Sequence, residues 1–395
     1  MRDDEKNTAS PISPQLVGIV AGEASGDLLG GLLIRGVQAC GLKAEFIGIA
    51  GPKMQAAGAR TLFPMETLSV RGYVEALGSL RKLLRIRSNL ARLFARTPPR
   101  VFIGVDAPDF NLWLETRLKR AGIPTVHFVS PSIWAWRPKR IHQIRKAVSH
   151  SLLIFPFEEA IYRNAGIPAT YVGHPLAHAL PAPDKTAARN RLGLGHEIEW
   201  VALLPGSRLS ELKALATLFL RTAQALYAQR PSVRFLVPLV NRETRDIFEK
   251  TMLEVGAEDL PIRILFGHAH DALQAADCAL IASGTATLEA LLLNCPHVIS
   301  YKVPWLTWQI MKRQALQPWV GLPNILAQRA VVPEWLQDQA TEANLCQALI
   351  DLLNNREARQ AQIDEFEIQR ARLKRDTPNL IAQALRPFLE GDARV

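Results

Sequence analysis

Two α/β lobes, each a parallel sheet with helices on both faces, are the fold class that this 395-residue sequence predicts. Three observations lead there. The chain is too long for one ordinary core, and 48% hydrophobic with 21% charged residues suits a two-domain α/β protein. Short apolar runs alternate with amphipathic helical segments, which is the mark of βαβ units. That alternation lapses once, around "LPAPDKTAARNRLGLG", and then restarts.

In order, the first lobe reads "QLVGIVAG" then "DLLGGLLIRGVQ", "EFIGIAG" then a helix, and "RVFIGVDAP" then "NLWLETRLKRAG". "PTVHFVSP", "SLLIFPF" and "ATYVGHP" complete its strands. The second lobe reads "EWVALLPGS", "RFLVPLV", "IRILFG", "CALIAS" and "HVISYKV". Each run is short enough for a buried strand and is bounded by Gly, Pro or polar residues. Both lobes are therefore expected to be Rossmann-like, over 14–182 and 183–353, with a charged helical tail over 354–395. Two such lobes are expected to face a central cleft at the carboxyl ends of their strands, where open α/β sheets bind ligands. There is no close internal repeat, so the doubling is one of architecture.

Charge is distributed unevenly. The formal net charge is +10, yet residues 71–150 alone hold sixteen Lys and Arg against Glu75, Asp106, Asp109 and Glu115. Within that stretch, "SLRKLLRIRSNLARLF" places Leu80, Leu83, Leu84, Leu90, Leu93 and Phe94 at helical spacing. Arg81, Lys82, Arg85, Ser88, Asn89 and Arg92 take the other side. Such a helix can pack on its own lobe, lie in the headgroup region of an anionic bilayer, or attract another polyanion. No zinc-finger, helix-turn-helix or RNA-recognition signature accompanies it, so nucleic acid is not the expected partner. Trp305, Trp308 and Trp319, interleaved with Lys302, Lys312 and Arg313, suit an interface, an acyl-chain groove or packing inside the second lobe. Cys40, Cys278, Cys295 and Cys346 lie far apart, with no C-x-x-C spacing, which implies a reducing compartment. The opening "MRDDEKNTAS" has acids where a signal peptide needs bases, and no window reaches about 18 unbroken apolar residues, so a cytosolic location is expected.

The turns that follow the strands carry the chemistry. After "CALIAS", the residues Ser283, Gly284 and Thr285 lead into a helix, so free amides and two hydroxyls can receive a phosphate. Glu289 then either accepts from ribose hydroxyls or serves as a solvated helix acid. Gly206, Ser207 and Arg208 form a second such turn, where Arg208 can clamp a diphosphate or make a local salt bridge. Neither turn has the spacing of a P-loop. In the first lobe, Gly22, Glu23, Ser25, Gly26 and Asp27 occupy the first strand-to-helix turn without the G-x-G-x-x-G spacing. Its acids repel a pyrophosphate and suit sugar hydroxyls. Asp106 ends a strand with Asp109 three residues on; one of them can be a general base, and Asp106 can equally cap the helix that Pro108 opens. His174 with His178, and His268 with His270, have spacings that metal sites use but no third ligand nearby, and the chain contains no D-x-D. No metal or cofactor is expected.

Taken together, "AGEASGD", "GVDAPDFN", "VSPSIWAWRPKR", "GHPL", "LLPGSR", "SGTATLEAL" and "LPNILA" resemble the lipid-A-disaccharide synthase family, in order from Leu16 to the end of the second lobe. "SPSIWAWRPKR" is the most specific of these motifs, and the N-terminal dozen residues match none of them. The resemblance implies a two-lobed GT-B glycosyltransferase at the cytoplasmic face of the inner membrane. It would join UDP-2,3-diacylglucosamine to 2,3-diacylglucosamine 1-phosphate, giving a β-1,6-linked disaccharide and UDP. Asp106 is the expected base, and, carried onto this chain, the resemblance implies Glu23 and Ser25 in the acceptor or sugar region. Arg208 with Ser283, Gly284 and Thr285 would hold the diphosphate, Glu289 the ribose, and Asn324 would contact the donor. Asp109 and Glu23 are the alternative bases. The acylated substrates give the helix of Leu80, Arg81, Lys82, Leu83, Leu84 and Arg85 a membrane role, and a homodimer is left open. Two other function classes differ in what they need. An epimerase or peptidoglycan-type transferase of the same architecture would not need "SPSIWAWRPKR", and a non-catalytic basic module binding lipid or nucleic acid would tolerate loss of Asp106.

Overall fold

The computed structural model describes residues 14–68, 76–314 and 316–391, with the side chains of 76–80, 306 and 310 outside that description. The opening "MRDDEKNTAS", the Leu80 side chain and residues 392–395 of the expected tail therefore lie outside the described residues. The chain forms two compact units, one of residues 1–178 with 374–395 and the other of residues 179–373.

The first unit runs β1 (Gln15–Ala21), α1 (Ala24–Ala39), β2 (Ala44–Ile49), α2 (Pro52–Ala56), β3 (Arg60–Thr61) and α3 (Ala76–Arg96). It continues through β4 (Val101–Val105), α4 (Pro108–Arg120), β5 (Thr125–Phe128), α5 (Ile141–Ala147), β6 (His150–Leu153), α6 (Glu158–Asn164), β7 (Ala169–Tyr171) and α7 (Pro175–Ala179). Its strands pair in parallel in the order β3-β2-β1-β4-β5-β6-β7. Every residue of β4 is buried, as expected for a strand covered on both faces.

The second unit runs α8 (Lys185–Leu192), β8 (Trp200–Leu204), α9 (Leu209–Gln229), β9 (Arg234–Leu239), α10 (Arg242–Glu254), β10 (Ile262–Phe266), α11 (Ala269–Ala275) and β11 (Cys278–Ala282). There follow α12 (Thr285–Leu292), β12 (His297–Tyr301), α13 (Trp305–Gln314), α14 (Leu322–Ala327), β13 (Glu334–Leu336), α15 (Glu342–Asn354) and α16 (Arg356–Leu373). The parallel order is β10-β9-β8-β11-β12-β13. On α9, Leu212, Leu215, Ala216, Phe219, Leu220, Ala223 and Leu226 recur every three or four residues and are all buried, forming one side of this core. Each large aliphatic or aromatic chain so buried contributes about 1.5–3 kcal/mol.

The tail expected as one element over 354–395 is divided. Whereas α16 contacts α12, α14 and α15 of the second unit, the last helix, α17 (Thr377–Glu390), packs on α1 of the first. Ile381, Ala382, Leu385 and Leu389 form its buried stripe, and a Cβ on Gly36 of α1 would come within 2.6 Å of the Pro378 carbonyl oxygen, so that close approach needs a glycine. The sequence shows that a helix is amphipathic but not which surface its stripe will cover. The unit boundary falls at 178/179, where the sequence places it at 182/183.

Candidate active site

In the first unit the strand order reverses between β1 and β4, which pair with Ala21 opposite Val105. Loops leaving such a switch point diverge and open a crevice at the carboxyl ends of the strands. Glu23 and Ser25 lie on the loop after β1 and the first turn of α1, both exposed; Glu23 is the N-cap residue, and its side chain makes no capping bond. Asp27, which the sequence places in the same turn, is withdrawn from it. Its buried carboxylate accepts from the amides of Lys53 and Met54, each at 2.9 Å, and so caps α2.

The loop after β4 begins with Asp106 and Ala107, both left-handed, with φ of 51° and 44°. Two such L-residues in succession cost about 1–2 kcal/mol each and need surroundings that hold them. Asn111, buried on α4, supplies the hold: its Nδ2 donates to the Asp106 carbonyl at 2.8 Å and, at longer range, to the carbonyls of Val20 and Val105 at 3.3 and 3.4 Å. The Asp106 amide donates to the Phe128 carbonyl at 2.9 Å. Asp106 is not the helix cap: Ala107 is the N-cap residue of α4, and it makes no side-chain capping bond. Among the described residues the half-buried Asp106 carboxylate has no hydrogen-bond or ionic partner, which leaves both oxygens available to a ligand hydroxyl. Asp109 is 86% exposed and paired with the Arg140 guanidinium, so its carboxylate is already engaged.

"SPSIWAWRPKR" divides into a largely buried first part, with Ser130, Pro131, Ile133 and Trp134 inside the unit, and an exposed stretch from Trp136 to Lys139. The Tyr162 hydroxyl donates to Ser130 Oγ at 2.8 Å, and Trp134 packs edge-on against Phe155 and Phe157 at 5.9 and 5.3 Å between ring centres. Beneath them Glu158 accepts from the amides of Phe155 and Ile154 at 3.0 and 3.2 Å. Burial nevertheless pushes its carboxyl up to about 8, against the pull of those amides, Ser130 and Trp134. Trp136 is exposed, with the Arg137 guanidinium 4.1 Å above its ring. His174 accepts from the Leu176 amide through Nδ1 and is pushed down to about 4 by burial, while His178 Nδ1 meets the Arg375 carbonyl at 3.3 Å.

The second unit repeats the arrangement. Its order reverses between β8 and β11, paired with Leu204 opposite Ile281, and the two glycine turns singled out in the sequence leave at that point. After β8, Gly206 has φ of 130°, and a Cβ there would come within 2.5 Å of Glu211 Cβ, so the turn requires glycine. The amides of Ser207 and Arg208 both donate to Glu211 Oε2, at 3.1 and 3.2 Å, and Arg208 Nη1 reaches Glu211 Oε1 at 3.2 Å. Amides expected to meet a phosphate are thus filled by a carboxylate of the chain itself, in the manner of a capping box. The Arg208 side chain, 80% exposed, keeps its other N–H groups for a ligand. Tyr301 ends β12 nearby, its phenol pushed up by burial and by the Glu211 charge.

After β11, a Cβ on Gly284 would meet nothing within 4 Å, and among the described residues no protein acceptor takes the amides of Thr285 and Ala286. Thr285 is exposed. Ser283 is only half available, because its Oγ donates its one proton to the Val320 carbonyl at 3.2 Å. Glu289 on α12 faces His270 on α11, with Oε2 and Nε2 3.3 Å apart. Asn324 lies inside the protein. It is 1% exposed, its Nδ2 donates to the Val332 carbonyl and Glu334, and its Oδ1 accepts from the amides of Val331 and Val332. With its side chain hydrogen-bonded to Val331, Val332 and Glu334, Asn324 shapes the 320–324 turn. Glu334, raised by burial, accepts from the amides of Val320 and Gly321 at 2.9 Å and completes that clamp.

On α3 the predicted apolar stripe divides. Ile86, Leu90 and Phe94 are buried and Leu83 is partly buried against the same core, whereas Leu84 and Leu93 stay exposed beside Arg81, Lys82, Arg85 and Arg92. The helix therefore packs on its own unit and keeps an outward edge of mixed leucine and base. Trp305 is 68% exposed on α13. No helix among the described residues is long and apolar enough to cross a membrane.

Sequence reading alone missed Asn111, Glu211, Tyr301 and Glu334, and considered His270 only as a metal ligand. For Glu211 a signal existed, the acid three residues beyond the N-cap Arg208. For the others the partner lies on a separate element.

The family model described as lipid-A-disaccharide synthetase matches residues 17–385. A lipid-A-disaccharide synthase of Methylobacillus flagellatus is 52% identical over 375 residues, covering 95% of this chain and 99% of that one. One from Pseudomonas aeruginosa is 47% identical, with 95% and 98% covered. Among solved structures, MurG of Acinetobacter baumannii aligns with a TM-score of 0.55 at 15% identity, covering 94% of this chain and 99% of its own. A UDP-GlcNAc 2-epimerase of Neisseria meningitidis, bound to UDP-GlcNAc, aligns at 0.59 with 9% identity, covering 94% and 98%. At these identities the structures speak for the shared two-lobed fold alone.

Proposed function

The chain belongs to the lipid-A-disaccharide synthase family, and from that membership we propose which reaction it carries out and how its two units divide the work. It is a glycosyltransferase of GT-B type, and membership implies a sugar-nucleotide donor and a phosphosugar acceptor. The specific reading is transfer of 2,3-diacylglucosamine from UDP to the 6-hydroxyl of 2,3-diacylglucosamine 1-phosphate. An α-linked donor giving a β product requires inversion in a single displacement. Asp106 takes the proton of the acceptor hydroxyl, that oxygen bonds to the anomeric carbon, and the bond from that carbon to the diphosphate breaks. Arg208, Thr285 and the amides of Thr285 and Ala286 neutralise charge as it gathers on UDP, and Glu289 holds the ribose. Glu23 and Ser25 border the acceptor.

One observation carries this reading: in both units, family motifs fall on the two loops that leave the switch point of the sheet. The acylated substrates reside in a bilayer, and the outward edge of α3, with Leu84 and Leu93 among Arg81, Lys82 and Arg85, supports contact with an anionic inner-membrane surface on its cytoplasmic face. The test is a turnover assay with radiolabelled diacylglucosamine 1-phosphate and the UDP-linked donor, with and without a chelator. Labelled disaccharide with equimolar UDP in both arms is the expected outcome. Release of UDP without disaccharide, or turnover only with the chelator absent, overturns the scheme.

A further inference from the structure

His270 lies outside every role assigned above, yet it is the partner of the residue read as the ribose ligand. Its Nε2 is 3.3 Å from Glu289 Oε2, and the two residues come from different helices, α11 and α12, so the pair is a tertiary contact and not a helical i,i+4 pairing. From its first turn α11 also supplies Asp271, whose carboxylate accepts from Arg191 at 2.7 and 2.9 Å and meets His268 Nδ1 at 3.1 Å. That anchorage fixes the start of α11 to α8 and leaves His270 directed at Glu289.

A half-exposed pair of this kind adds little to stability. Its effect is on orientation. A glutamate side chain has several rotamers, and a ligand that needs one of them bears the cost of selecting it. With Oε2 taken by His270, Glu289 presents Oε1 in a fixed position, and a carboxylate oxygen so placed accepts from a hydroxyl without further ordering. The hydrogen bond and the neighbouring charges of Glu289 and Asp271 also raise the imidazole above its ordinary value, which favours the donating, cationic form.

We infer that His270 is a positioning residue for recognition of the nucleotide ribose, acting through Glu289 and not by touching the ligand. The inference rests on the proposed reading of Glu289 as the ribose acceptor. It makes discrimination between ribose and its deoxygenated analogue a property of the pair.

The experiment is calorimetric binding of UDP and of 2′,3′-dideoxy-UDP to the wild-type chain, His270→Ala, His270→Gln, Glu289→Ala and the His270→Ala/Glu289→Ala double variant. His270→Ala weakens UDP about three- to tenfold and leaves the dideoxy analogue unchanged, which is the scale of freeing one side chain. His270→Gln, whose amide donates from nearly the same place, recovers most of that loss. In the Glu289→Ala background, removal of His270 has no further effect on UDP. Equal weakening of both nucleotides by His270→Ala, or additive losses in the double variant, overturns the role of His270. An unchanged preference for UDP in Glu289→Ala overturns the ribose assignment itself, and the inference with it.

Discussion

The amide of Asn111 holds the carbonyl of Asp106 at 2.8 Å, so the proposed base sits on a left-handed turn kept in place by a buried side chain four residues into the following helix. Asn111→Ala leaves that carbonyl without its donor and is expected to cost about 1–3 kcal/mol in urea unfolding. If the hold also aims the carboxylate, kcat falls well beyond any change in the donor KM. Loss of stability with kcat intact would reduce Asn111 to a packing role.

Asp106→Asn keeps the shape of the turn and removes the base. Turnover is expected to drop to the limit of detection while UDP affinity stays within about twofold, since the proposed UDP contacts are residues of the other unit. Asp109→Asn, at an exposed carboxylate already paired with Arg140, is expected to change turnover far less. The reverse ranking in a single-turnover assay would move the base to Asp109.

Arg208→Ala removes a charge from the proposed diphosphate cradle, and kcat/KM for the donor is expected to fall about ten- to hundredfold. Glu211→Gln retains an acceptor for the Ser207 and Arg208 amides but frees the guanidinium. It is expected to tighten UDP binding in a calorimetric titration, because the leaving group no longer meets a fixed negative neighbour.

Replacing Arg81, Lys82 and Arg85 together by Glu reverses the charge beside Leu84 on α3. Binding to vesicles containing anionic lipid is expected to weaken by about 1 kcal/mol or more per residue at low salt, and to approach that of the wild type as salt rises. Sedimentation of protein with vesicles measures it, and equal partitioning of both proteins would remove the helix from membrane contact.

Burial pushes Glu158 up to about 8, so the folded chain retains a proton that the unfolded chain releases near 4.5. The stability associated with that proton is complete below the unfolded value and is lost as pH rises through the folded one. His174 and His297, pushed down to about 4 by burial, act oppositely: stability falls as pH drops below the ordinary histidine range. Glu158→Gln is therefore expected to flatten the decline of the urea midpoint between about pH 5 and pH 8 without altering the acid limb. A decline of unchanged steepness would assign it to other groups.

Where these residues would be found was partly legible in the sequence. Apolar runs closed by Gly, Pro or an acid mark strands, and strand ends in a doubly wound sheet mark the crevice, so Asp106, Arg208 and the turn at Ser283 could be located before any coordinates. What each side chain does once there depends on neighbours remote in the chain. Asp27 serves α2, 26 residues on, and Asn324 closes a turn with Glu334. Composition and spacing do not encode such pairings. The α3 stripe was visible as a period, but its division between core and solvent depends on the width of the surface beneath it.

The packing of α17 on α1 has a bearing on biosynthesis. The chain leaves the first unit at residue 178 and re-enters it at residue 374, so the unit begun first is finished last. On the ribosome the inner domain emerges whole while its predecessor still waits with one face of α1 bare. A nascent chain stalled near its end, or one nicked before Thr377, would strand the amino-terminal sheet in an incomplete state, open to capture by chaperones and proteases.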